Sequence, residues 1–95
     1  MAGYVVAVDE DTDPEGMARY RELVPAIIEQ FGGRFVVRGG KAEALEGDWE
    51  PSRLIIIEFP SVEQAKAWWS SAEYAEAKAL RQRSAETSLT VVEGI

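Results

Sequence analysis

Residues 32–59, GGRFVVRGGKAEALEGDWEPSRLIIIEF, decide the fold. RFVVR reads as a strand, with Phe35 and Val37 facing one way and Arg34, Val36 and Arg38 the other. Gly39-Gly40 inside that pattern predicts a bulge or a close backbone approach. Residues 41–46 read as the continuation of the strand and residues 47–51, GDWEP, as the turn. RLIIIEF (53–59) is the return strand, ended by Pro60 and apolar on both faces over residues 54–57. A hairpin folded about Asp48 brings Arg38 to within a position or two of Glu58.

Upstream, Met17, Tyr20, Val24, Ile27, Ile28 and Phe31 recur at helical spacing and predict a helix over residues 14–30. Asp13 is placed to cap it and Pro14 to occupy its first position. Pro25 lies inside the pattern and predicts a kink or a split, and Gly32-Gly33 a stop. Before the helix, GYVVAV (3–8) is short, β-branched and apolar, as in a strand buried on both faces. Asp9, Asp11 and Asp13 imitate the first ligands of a calcium loop, but Pro14 and Tyr20 stand where that loop needs glycine and glutamate.

Downstream, Ser61 and Gln64 form a capping box before a helix whose buried side is Val62, Ala65, Trp68, Trp69 and Ala72. Ser70 or Ser71 caps the chain again, and the helix resumes to about Arg83 with Tyr74, Ala77 and Arg81 on one face. SLTVVE (88–93) is the last strand.

The order is β-α-β-β-α-β, so a single domain over residues 1–95 of the α+β class is expected: a ferredoxin-like, four-stranded antiparallel sheet with both helices on one face. Two helices cover one face only, while residues 5–8 and 54–57 are apolar on both. A second copy, sheet against sheet, would bury the other side. The expected assembly is a homodimer, a dimeric α+β barrel. Size agrees, because 95 residues bury only about 60–65% of their unfolded surface. The chain has no cysteine, which excludes disulfides, and no histidine, which with it excludes the usual zinc and haem ligands. No metal or cofactor is expected. A net charge of −7 argues against a nucleic-acid partner. There is no apolar run near membrane-spanning length and no basic-plus-apolar leader, so neither a membrane partner nor export is expected, and a cytoplasmic protein is.

Asp13-Pro14, Tyr20, Gly32-Gly33-Arg34, Arg38-Gly39-Gly40, Glu46-Gly47-Asp48-Trp49, Arg53, Glu58-Phe59, Ser71 with Glu73-Tyr74, and Arg81 together resemble the uncharacterised family called domain of unknown function 1330. The resemblance covers nearly the whole chain. It implies the dimeric α+β barrel superfamily, which includes cofactor-independent monooxygenases, muconolactone isomerases, polyketide cyclases and stress-response barrels. It implies no catalytic residue. Relatives that degrade haem, and several cyclases, rely on histidine, which this chain lacks.

Arg38 and Arg53 are candidate anion ligands, since guanidinium grips carboxylates bidentately. The structural alternatives are a cross-strand pair of Arg38 with Glu58 and a hairpin-end pair of Arg53 with Glu46 or Glu50. Glu46 and Glu58 are candidate general bases if buried. Tyr20, Tyr74 and Trp68 come from helix faces over the sheet and are either core or ligand contacts. Trp69 shares that reading with Trp68, and Trp49, in the turn, is expected against a partner copy or at a pocket rim. Two functions follow. One is a cleft between sheet and helices that binds a small anionic or carbonyl-containing organic molecule, serving a cofactor-independent isomerase, cyclase or monooxygenase. The other is a non-catalytic dimeric module.

Overall fold

The computed structural model describes residues 1–95. Strand β1 (Gly3–Asp11) lies inside the sheet, antiparallel to β3 (Leu54–Phe59) on one side and to β4 (Ala85–Glu93) on the other. Strand β2 (Arg34–Arg38) pairs antiparallel with β3, and the order is β2-β3-β1-β4. Three helices lie over one face: α1 (Pro14–Gln30), α2 (Val62–Ser70) and α3 (Ala72–Ser84). This is the ferredoxin-like arrangement, with the second helix divided in two.

Local chemistry explains the helix ends. Asp13 Oδ1 accepts from the Gly16 amide and Pro14 takes the first turn, where a missing N–H costs nothing. Gly32, at φ 78°, exits α1 through the left-handed region. Ser61 Oγ accepts from the Gln64 amide, but the Gln64 amide group reaches Phe31 O, so the expected reciprocal box is half formed. Ser71 makes the second cap, accepting from the Tyr74 amide. Pro25 does not split α1. A proline cannot donate to the carbonyl four residues earlier, which is Arg21 O. That carbonyl accepts instead from Arg38 Nη2, at 3.2 Å.

Alternation along the strands sets the two faces of the sheet. Val5, Ala7, Ile55, Ile57 and Phe59 point to the helices and join Met17, Val24, Ile28, Ala65, Trp68 and Tyr74 in the core. Tyr4, Val6, Val8, Leu54 and Ile56 point away and are half-buried, with no helix over them. The chain measures 37 × 36 × 16 Å, a layer of sheet and a layer of helix.

Four expectations need correction. Residues 41–46 are not strand: β2 stops at Arg38, and no regular element follows until Leu54. Gly39, at φ 73°, turns the chain out of the sheet there. The bulge falls earlier, between Phe35 and Val37. With no tight turn about Asp48, the register differs: Arg34 stands opposite Glu58, and Arg38 opposite Ile55. The Arg38–Glu58 pair is therefore absent, and Arg34 pairs with Glu58 at 2.8 Å. Finally, β1 and β4 pair as far as Asp11 and Ala85, so both strands are longer than the apolar runs that announced them.

Candidate functional site

Continuing β1 past its apolar run carries Asp9 onto the helix-facing side, where it is buried. Thr87 Oγ1, opposite on β4, donates to Asp9 Oδ1 at 2.9 Å. Above it, α1 presents Tyr20, and α3 presents Tyr74 and Arg81, two turns apart on one face. The phenols share a hydrogen bond of 2.7 Å, and Arg81 Nε donates to the Tyr74 hydroxyl at 3.3 Å. Tyr74 also stacks on Trp68 with ring centroids 4.2 Å apart. Asp9, Tyr20, Arg81 and Trp68 line a cleft between sheet and helices, together with Arg21, Arg38 and Arg53.

Charge distinguishes this cleft. Four of the chain's ten cations line it against one carboxylate, although the whole chain carries a net −7. Asp11 neutralises Arg21 through both carboxylate oxygens, at 2.9 and 3.0 Å. Arg38, Arg53 and Arg81 have no carboxylate within ion-pair distance. Arg81 is only 6% exposed. Arg53 Nε is buried without a partner, and its guanidinium lies against Gly39, where a side chain would collide with it. Arg38 stacks over Phe35, its guanidinium carbon 4.3 Å from the ring centre. A desolvated cation without an anion is costly, and Arg81 is buried and Arg53 half-buried, so these two favour an added negative group.

Burial, helped by the neighbouring Tyr74, pushes the Tyr20 phenol far above its ordinary range, so it remains a neutral hydrogen-bond group. Burial opposes the Arg81 charge, but the oxygens of Tyr74, Tyr20 and Asp9 outweigh it and the guanidinium stays a cation. Neutral phenol and fixed guanidinium together form a donor set for a carbonyl, enolate or carboxylate oxygen.

Tyr20, Tyr74, Trp68, Arg38 and Arg53 thus converge around one cleft, although Tyr74 reaches it through Tyr20 and Arg81. Arg53 pairs with neither Glu46 nor Glu50, and the Glu50 carboxylate instead accepts from the Ala44 amide. Glu46 lies exposed in the segment between β2 and β3. Glu58 faces the other side of the sheet, where Tyr4 and Arg34 both donate to it at 2.8 Å. Those bonds, Tyr4's first, lower its pKa, the opposite of what a base at neutral pH needs. Trp49 is exposed and lines no part of the cleft. Asp9 and Arg81 complete the cleft without having been singled out as candidates. Both had a signal: Asp9 continues the alternation Gly3, Val5, Ala7, and Arg81 is a charge on a helical face otherwise read as buried.

A second, larger space adjoins the cleft. It is a groove of about 450 Å³ bounded by α2, α3 and β4, and it shares Val5, Arg81 and Leu89 with the cleft. The cleft itself has room for only about 30 Å³.

Fold and site together define a ferredoxin-like α+β domain with a cationic cleft between its layers. The chain belongs to the family described as Domain of unknown function (DUF1330), which it matches over residues 2–95. Solved structures share the fold. A protein of unknown function from Rhodopseudomonas palustris superposes with a TM-score of 0.75 at 22% identity, over 99% of this chain and 82% of that one. A dimeric ferredoxin-like protein of unknown function from Jannaschia gives 0.66 at 15% identity, over 99% and 100%. A candidate antibiotic biosynthesis monooxygenase from Nitrosomonas europaea gives 0.55 at 15% identity, over 98% and 90%. No curated relative matches the sequence significantly. No helix is long and apolar enough to cross a membrane.

Proposed function

We propose that the protein is a homodimer, joined sheet to sheet, in which each protomer binds a small organic anion in the cleft between its sheet and helices. Arg38, Arg53 and Arg81 would hold the anionic or carbonyl oxygen, with Tyr20, Tyr74 and Trp68 as the wall. One observation carries the reading: three arginines without carboxylate partners, Arg81 buried, Arg53 half-buried and Arg38 exposed, line a single cleft of an acidic chain. The uncovered apolar face of the sheet supports the dimer, as does the dimeric relative from Jannaschia. The chemistry such a site serves is proton transfer beside a carbonyl, as in a cofactor-independent isomerase, cyclase or monooxygenase. The fold shared with the Nitrosomonas protein is compatible with the last. Among the carboxylates considered, we give the proton-acceptor position to Asp9 rather than Glu46 or Glu58, because Asp9 alone lines the cleft.

The narrowness of the cleft, about 30 Å³, favours a second reading. That volume is near the space of one water, as expected of a non-catalytic dimeric module with a filled interior. Thermal denaturation against small carboxylates and 2-oxo acids separates the two. A true ligand at a hundred times its Kd stabilises by about 2.7 kcal/mol, about 10–20 °C for a domain of this size. Arg38→Ala should abolish that shift and leave a folded dimer, since Arg38 is exposed and unpaired. No shift with any anion would establish the module reading instead.

A further inference from the structure

We infer that the groove bounded by α2, α3 and β4 is the seat of the ligand's apolar body, so that the ligand is a carboxylate with a hydrophobic chain or ring, its head group on Arg81 and its tail between Trp69 and β4. The inference rests on the anion-cleft reading and specifies its ligand class. Three observations carry it.

The first is volume. A groove of about 450 Å³ falls within the range of small-molecule sites, and the inner cleft at about 30 Å³ does not. An organic anion larger than a few atoms has to place its bulk outside the cleft, and the groove is the space adjoining it.

The second is the shared wall. Arg81 borders both spaces, is only 6% exposed, and has one hydrogen bond, from Nε to the Tyr74 hydroxyl. Its terminal nitrogens have no carboxylate partner, so an anion entering by the groove meets a nearly desolvated, unpaired guanidinium.

The third is the lining. Ala65, Trp69, Leu89 and Val91 supply apolar surface, Lys66 adds a cation, and no acidic residue borders the groove. Trp69 is 43% exposed, and its indole is steadied by Lys78, whose ammonium lies 3.9 Å from the ring centre and donates to Trp69 O. Its strand residues, Val5, Thr87, Leu89 and Val91, all belong to the helix-facing side, so a dimer formed through the opposite face leaves the groove free.

The test is calorimetric titration of the full chain with acetate, butyrate, hexanoate, octanoate and 3-phenylpropanoate, with octan-1-ol as the neutral control. Affinity should rise about two- to fourfold per methylene along the straight chains. Octanoate should bind about tenfold or more tightly than octan-1-ol. Trp69→Ala should flatten the dependence on chain length while sparing the weak binding of short carboxylates. Arg81→Gln should erase the preference for octanoate over octan-1-ol. Arg81 is buried, so its replacement could unfold the chain, whereas Trp69→Ala changes a half-exposed side chain and keeps the test decisive. Equal binding of acetate and octanoate, or a silent Trp69→Ala, overturns the groove and leaves the cleft reading standing. Length-dependent binding with no preference for the carboxylate overturns the cleft reading, and with it the head-group assignment. Absence of any binding overturns both.

Discussion

Pro25 shows how one residue acts at a distance in sequence. By lacking an N–H it releases Arg21 O, and that carbonyl holds Arg38 over the cleft. Pro25→Ala should restore the helical bond and raise stability, since an interior proline costs about 3 kcal/mol relative to alanine. It should also weaken anion binding, because Arg38 loses its anchor. Chemical denaturation and ligand titration on one variant check both directions. Glu58 gives a pH dependence. Its pKa lies below the ordinary 4.5, first because Tyr4 donates to it and then because Arg34 does. A lowered folded pKa means stability that is fully present above the unfolded value and lost as pH falls through the folded one. Tyr4→Phe should shrink that acid-side loss and raise the carboxyl pKa observed by NMR. Tyr20 has the opposite sign. Its folded pKa is raised by burial, so the stability it protects is present below pH 10.0 and lost above it, as the unfolded phenol ionises. Tyr20→Phe should flatten the alkaline limb of stability against pH.

Among the elements, the segment between β2 and β3 departs furthest from a simple hairpin. Its backbone leaves the sheet at Gly39, whose φ of 73° few side chains adopt and whose bare Cα gives Arg53 room. Gly39→Ala should therefore both strain the turn, by about 1 kcal/mol or more, and displace the Arg53 guanidinium. A loss of anion affinity matching that of Arg53→Ala, measured on protein still folded by circular dichroism, would identify the displacement. The elements around it were largely legible. Helical spacing and caps located α1 and α2, and the serine pair marked the break before α3. What periodicity could not supply was the register of β2 on β3. A bulge and a glycine exit changed the register, and with it the partner of Glu58, which is Arg34 rather than Arg38.

At the scale of the molecule, a layer of sheet lies beneath a layer of helix, and the other side of the sheet carries Val6, Val8, Leu54 and Ile56 without cover. Ile56→Lys should yield monomers in sedimentation equilibrium and a lower midpoint of unfolding. A monomeric wild type at micromolar concentration would remove the sheet-to-sheet dimer altogether. The variant reports on the dimer without touching the cleft, because Ile56 points away from the helices. Association and ligand binding should therefore respond independently to changes on the two faces of one sheet.

Much of this protein was present in its order of residues. Apolar spacing is a local property, so it announced the elements, their sequence and a sheet with two apolar faces. Caps and breakers act within a turn or two, so Asp13 and Ser61 could be read directly and the next cap narrowed to Ser70 or Ser71. Only the tertiary structure decided which charges meet. Arg38, Arg53, Arg81 and Asp9 come from four separate elements or their flanks, and their convergence depends on a register, a bulge and the angle of helices over a sheet. Those are set by packing across the whole chain, which no window of sequence contains.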